Sequence, residues 1–171
     1  MLSYALQGDR PRPTMAKRAT PKHTALRPLE RSLTISLLRA REAVMARFRP
    51  VLHRHGVTEQ QWRVIRVLAE RHACDASALA AASCIHPASL SRILRALQDA
   101  GVLRATPSVA DSRRLVVRLT ARGRRRFEEI GGESEAIYRR IEHQVGQAEL
   151  ETTLARVHQL AACLAPESGG R

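Results

Sequence analysis

A glycine-stopped helix followed at once by two short β-prone runs is the feature that most constrains this chain. From Pro87, the residues Leu90, Ile93, Leu94 and Leu97 recur at helical spacing, and the pattern halts near Ala100 at Gly101. Residues 102–106 (Val-Leu-Arg-Ala-Thr) then read as a strand, 107–113 as a polar turn, and 115–119 (Leu-Val-Val-Arg-Leu) as a second strand. A β-hairpin placed directly after a helix is a wing. Proline suits the first turn of that helix, because its missing N–H would have been unpaired there in any case. Upstream, Ser77 offers a cap to the helix-forming run 78–82, and Ser83, Cys84 and Ile85 make a short connector. Two short helices with a tight turn form a helix-turn-helix whose second helix is the candidate DNA reader. The expected fold is mainly α with a small β-hairpin wing, a winged helix-turn-helix.

Longer helices flank this unit. Leu33, Leu37, Leu38, Val44, Met45, Phe48 and Leu52 mark a first helix that ends at His55-Gly56. Thr58 with Gln61 resembles a capping box opening a second helix with Trp62, Ile65, Leu68 and Ala69 on its apolar side. Thr120 caps a helix carrying Phe127, Ile130, Ile137, Ile141 and Val145, with a bend expected at Gly131-Gly132. A last helix places Leu150, Leu154, Val157, Ala161 and Leu164 on one stripe. The expected organisation is a disordered, proline-bearing basic arm (1–29), a dimerisation and pocket helix (30–56), the winged unit (57–120), dimerisation helices (121–165) and a polar tail (166–171). Leu33, Leu37, Leu150, Leu154, Val157 and Leu164 are the expected dimer contacts, since so short a chain offers that stripe no other partner.

Composition sets the partner. Lys and Arg number 29 against 16 Asp and Glu, a net charge of +13 on a chain that is 44% hydrophobic. That combination indicates a folded protein with a polyanionic partner rather than a disordered basic tail. No apolar run approaches the roughly 18 residues of a membrane span, and the N-terminal basic residues lack the apolar core of a signal peptide, so a cytoplasmic protein without a membrane partner is expected. Cys74, Cys84 and Cys163 show neither Cys-x-x-Cys nor zinc-finger spacing, which argues against a metal. They read as small core residues, with redox sensing at Cys84 or Cys74 as the alternative. The histidines read as surface or helix-end residues. No nucleophile–base set, phosphate loop or pair of catalytic carboxylates stands out, so neither an enzyme nor a cofactor is expected.

On the reading helix, residues 88, 91, 92 and 95 share the face opposite the leucines. Ser89, Ser91, Arg92 and Arg95 are the candidate base or phosphate contacts, the arginines because a guanidinium donates two hydrogen bonds to guanine. The alternative for each is an ordinary solvated side chain.

The element order, together with Asp111-Ser112-Arg113-Arg114, Leu119-Thr120 and the spacing of Leu97, Gly101, Val102 and Arg104, resembles the MarR family of bacterial regulators over about residues 31–164. Ser32 to Ile35, Ala40 to Ala43, Phe48 to Pro50 and Thr58 to Arg63 are similar to the subfamily regulating homoprotocatechuate (hydroxyphenylacetate) degradation. The resemblance implies a homodimeric repressor on a palindromic operator of double-stranded DNA. It further implies release by a small aromatic or heteroaromatic acid such as hydroxyphenylacetate, homoprotocatechuate or hydroxynicotinate. It also implies that Arg113 and Arg114 reach the minor groove or its phosphates while Asp111 orients Arg113.

Arg41 falls between Leu37 and Met45 on an apolar stripe, where an unpaired charge would be costly. A ligand carboxylate could pair with it in a cleft walled by Met45, Phe48 and Trp62, with Arg63 as a second donor. An internal ion pair with Glu42 or Glu30, or snorkelling at a dimer seam, accounts for it equally. Three functions remain open: a ligand-responsive repressor, a redox-responsive repressor using Cys84 or Cys74, and a constitutive architectural DNA binder.

Overall fold

The computed structural model describes residues 28–107 and 115–165. The chain divides into two compact units, Met1–Leu37 and Leu38–Arg171. The described part of the first holds a 3₁₀ turn, Leu29–Arg31, and the opening of helix α1, which spans Leu33–Arg54. The rest of the expected basic arm and the tail lie outside the described residues.

The second unit follows the sequence pattern closely. After α1 come α2 (Glu59–Arg71), β1 (Cys74–Asp75), α3 (Ala76–Ser83), α4 (Pro87–Asp99), β2 (Leu103–Pro107), β3 (Leu115–Leu119), α5 (Ala121–Val145) and α6 (Gln147–Cys163). The capping box of α2 is complete: Gln61 N–H donates to Thr58 Oγ1 at 3.2 Å and Thr58 N–H to Gln61 Oε1 at 2.9 Å. Helix α3 is capped by Asp75, which accepts from Ala78 N–H at 2.8 Å, and not by Ser77. The cap lies two residues earlier because Asp75 also belongs to a strand that the sequence pattern does not reveal. Two residues are too few to show period-two alternation.

That strand turns the hairpin into a three-stranded antiparallel sheet of order β1-β3-β2, with Cys74 opposite Val117 and Leu103 opposite Leu119. Two turns join its helices to their neighbours. Gly101, at φ +65°, ends α4: its N–H donates to Gln98 O at 2.8 Å and Val102 N–H to Leu97 O at 2.9 Å, with Leu97 and Val102 both buried. The turn after α3 repeats this pattern with Cys84 in the left-handed position, at φ +50°; Cys84 N–H donates to Ala81 O and Ile85 N–H to Ala80 O. A non-glycine residue there costs about 1 kcal/mol, offset by burial of Ile85.

The core runs through Ile65, Leu68, Leu79, Leu90, Val102, Val117 and Ile130. Helix α5 runs through Gly131-Gly132 as one continuous helix, so the pair does not interrupt it. Ile130, Ser134 and Ile137 are buried on either side of the pair and fix the helix by its packed stripe, while a Cβ at either glycine would meet nothing within 4 Å. At Gly123 the reverse holds, because a Cβ would come within 2.1 Å of the Val102 carbonyl oxygen. Only glycine lets α5 approach the base of the wing. Among the described residues no helix is long and apolar enough to cross a membrane.

Candidate nucleic-acid interface and effector cleft

Helix α4 starts with Pro87 at its first turn and His86 as cap, its ring Nδ1 accepting from Ala88 N–H at 3.4 Å. Leu90 and Leu97 are buried, with Ile93 and Leu94 packed against the core. That leaves Ala88, Ser91, Arg92 and Arg95 exposed on the opposite side; Ser89 is half-buried, and the Ser91 hydroxyl donates back to Pro87 O at 3.3 Å. Among the described residues neither arginine has a carboxylate partner. An unpaired guanidinium pair on an exposed helix face presents donors outward, which is what reading a groove requires. Asp111, Arg113 and Arg114 lie outside the described residues.

Arg41, Met45, Phe48, Trp62 and Arg63 line one cleft of about 220 Å³ between α1, α2 and α5, so the five residues proposed for the effector share a surface. The same cleft brings in Glu59, Arg66 and Tyr138. Spacing within a helix cannot reveal that α5 delivers Tyr138. The positions of Arg63 and Arg66 on one face of α2 were the available signal for Arg66.

Arg41 is not on a buried stripe. Its side chain is 46% exposed, and its guanidinium is held by Glu42 at 2.6 Å and by Glu59. Arg49 closes the network, 2.5 Å from Glu42 and 2.6 Å from Glu59. The charge is therefore already balanced, as the ion-pair alternative had it for Glu42. Burial by itself would raise the Glu59 carboxyl, but hydrogen bonds from Arg49 and Arg41 outweigh it and hold the group below the usual carboxylate range.

Arg66 differs. It donates to the Tyr138 hydroxyl at 3.3 Å and, among the described residues, meets no carboxylate. Phe48 packs on Tyr138 with ring centroids 5.0 Å apart, and Trp62 stacks on Phe127 at 5.8 Å; of these rings Phe48, Tyr138 and Trp62 line the cleft. Arg63 turns away to donate to the Cys84 carbonyl at 3.1 Å.

Of the cysteines, only Cys74 is a core residue; Cys84 and Cys163 are exposed, since one closes a turn and the other ends α6. Helix α6 buries no residue: Leu150 packs on the core, while Leu154, Val157 and Leu164 are exposed, as are Leu33 and Leu37 on α1.

A three-stranded wing sheet following a helix-turn-helix whose second helix exposes an arginine pair is the winged helix-turn-helix architecture of transcriptional regulators. The sequence of residues 57–115 matches the MarR family. The chain is 44% identical over 120 residues to the HTH-type transcriptional regulator FarR of Neisseria gonorrhoeae, a match covering 70% of this chain and 82% of that protein. It is 42% identical over 113 residues to the homoprotocatechuate degradative operon repressor of Escherichia coli, covering 66% and 76%. The structure superposes on that of NadR in complex with 4-hydroxyphenylacetate with a TM-score of 0.70 at 38% identity, covering 87% of this chain and 97% of that one. The chain belongs to the MarR family of transcriptional regulators.

Proposed function

We propose that this MarR-type regulator represses genes of aromatic-acid breakdown, binding a palindromic operator as a homodimer and releasing it when a single-ring aromatic carboxylic acid enters the cleft. The observation that carries this reading is Arg66, a guanidinium without a carboxylate partner among the described residues, hydrogen-bonded to Tyr138 beside the Trp62 and Phe48 rings. A ligand carboxylate would supply the missing charge, and a charge-assisted, bidentate pair with arginine is among the stronger contacts available. At about 220 Å³ the cleft lies below the usual range for drug-sized ligands, which suits one ring and a short acid chain. The names of the relatives point the same way: one is a homoprotocatechuate operon repressor, another was solved with 4-hydroxyphenylacetate.

In this reading Arg66 anchors the acid, Tyr138 orients it, Met45, Phe48 and Trp62 hold the ring, and Arg41 keeps Glu59 in place. Arg92 and Arg95 with Ser89 and Ser91 read the operator, and Arg113 and Arg114 contact it from the wing, Asp111 orienting Arg113. The exposed stripe of Leu154, Val157 and Leu164, with Leu33 and Leu37, is covered by the second copy. The separation of the two reading helices must match successive major grooves, about 34 to 36 Å apart. An acid that binds the wider or narrower arrangement better shifts the population away from DNA.

Calorimetry with 4-hydroxyphenylacetate on wild type, Arg66→Gln and Arg41→Gln, paired with operator-binding assays, tests the anchor. Loss of at least tenfold in affinity is expected for Arg66→Gln and a smaller change for Arg41→Gln; the reverse order would return the anchor to Arg41. Sedimentation of Leu154→Asp, which would bury a charge at the seam, should show monomers, and an unchanged dimer would remove α6 from the interface.

A further inference from the structure

A second cleft, of about 420 Å³, lies between the end of α2, the outer face of the wing sheet and the start of α5. We propose that it binds a small organic anion with a doubly charged head of the phosphomonoester class, held by Arg104, Arg118 and Arg124 over an apolar floor. The inference does not depend on the effector reading above.

Strand register makes the first argument. Arg104 and Arg118 are direct cross-strand partners on β2 and β3. Side chains so placed start about 4.5 to 5.5 Å apart at Cβ, and like charges directly opposite one another destabilise a sheet. The chain thus carries a repulsive pair near the base of its wing, where threonine would fit at no cost in charge. An anion between the two guanidiniums turns the repulsion into attraction on both sides.

Neighbouring residues complete the site. Arg124 is fixed by donating to the Leu119 carbonyl at 3.1 Å, which leaves further N–H groups of its fork for a ligand. His72 lines the same cleft from the end of α2, held at φ +61°. Among the described residues none of the three arginines is paired with a carboxylate, and Glu128 is the one acid on the cleft wall.

The floor narrows the ligand. Phe127 and Ala69 give the cleft an apolar side that inorganic phosphate would leave unused. No residue of α4 lines it, so the cleft is distinct from the reading helix. Phe127, which stacks on Trp62, connects this wall to the effector cleft, which Trp62 lines.

The test is calorimetric titration of the full-length protein with phenyl phosphate, with inorganic phosphate and benzoate as comparisons. Phenyl phosphate should bind wild type at least tenfold more tightly than either comparison, lose at least tenfold in Arg104→Gln/Arg118→Gln, and be unaffected by Arg66→Gln or by saturating 4-hydroxyphenylacetate. Amide shifts in labelled wild type should centre on Leu119 and Phe127, which tests the site even if the double variant fails to fold. Equal affinity in wild type and a folded double variant, or shifts centred on Met45, would overturn the proposal. Displacement of phenyl phosphate by a short DNA duplex would also overturn it, assigning these arginines to the DNA backbone.

Discussion

Arg63, which lines the proposed effector cleft, donates through its guanidinium to the carbonyl of Cys84, the left-handed residue at the turn of the helix-turn-helix, at 3.1 Å. One side chain thus touches both the surface proposed for the effector and the turn that aims the reading helix. A coupling of two sites needs a physical element that both bias.

Arg63→Met keeps the aliphatic stem and removes this bond. Hydrogen bonds to charged groups contribute about 1.5 to 3 kcal/mol when well formed, and partial exposure places this one at the lower end. Operator affinity should fall several-fold, and the ratio of operator dissociation constants with and without saturating 4-hydroxyphenylacetate should shrink towards one. An unchanged ratio would show that the signal bypasses Arg63.

The Glu59 carboxylate gives a pH signature. Its folded-state pKa lies below the ordinary glutamate value, because the hydrogen bonds from Arg49 and Arg41 outweigh the opposing effect of burial. A depressed carboxylate pKa stabilises the fold above the unfolded value of about 4.3, and the contribution is lost as pH falls through the folded pKa. The melting temperature of wild type should therefore exceed that of Glu59→Gln by a constant margin between pH 7 and about pH 5, with the margin closing below about pH 4.3. A margin independent of pH would mean that the network contributes nothing through charge.

Glycine substitutions separate tight packing from open helix. Gly123→Ala drives a Cβ to within 2.1 Å of the Val102 oxygen, a backbone atom that cannot rotate aside. The helix-propensity gain of about 1 kcal/mol is outweighed by overpacking, so destabilisation by about 1 to 3 kcal/mol is expected in denaturant titration. Gly131→Ala and Gly132→Ala meet nothing within 4 Å and should stabilise by about 0.5 to 1 kcal/mol each. Stabilisation by Gly123→Ala would mean that α5 sits farther from the wing base than this geometry has it.

These glycines also show what sequence could and could not reveal. Periodicity marks Leu90 and Leu97, Ile130 and Ile137 as buried, and caps at Thr58 and Thr120 are local features, so the helices and hairpin could be read along the chain. A two-residue strand, the Gly123 approach to Val102, and Tyr138 reaching the cleft from α5 depend on which elements meet, and no local pattern records that. The same holds for Arg41. Its neighbours on the helix marked a conspicuous charge, but only the tertiary meeting of α1 with Glu59 of α2 showed that the charge is already balanced. The five residues expected at an effector site do line one cleft, and the ion pairs at Arg41 are what move the proposed anchor to Arg66.

Arg92 and Arg95, exposed on α4 opposite its buried leucines, should account for much of the operator's sequence preference. Alanine at either position should cost about 1 to 3 kcal/mol on the operator if the side chain reads a base edge, and much less on random DNA. If it meets a phosphate instead, affinity should fall to a similar extent on every sequence, and the slope of log K against log salt should become shallower by about one unit. Binding measured on operator and random duplexes across a salt series distinguishes the two for each residue. Wild-type affinity and selectivity in both variants would mean that another face of α4 enters the groove.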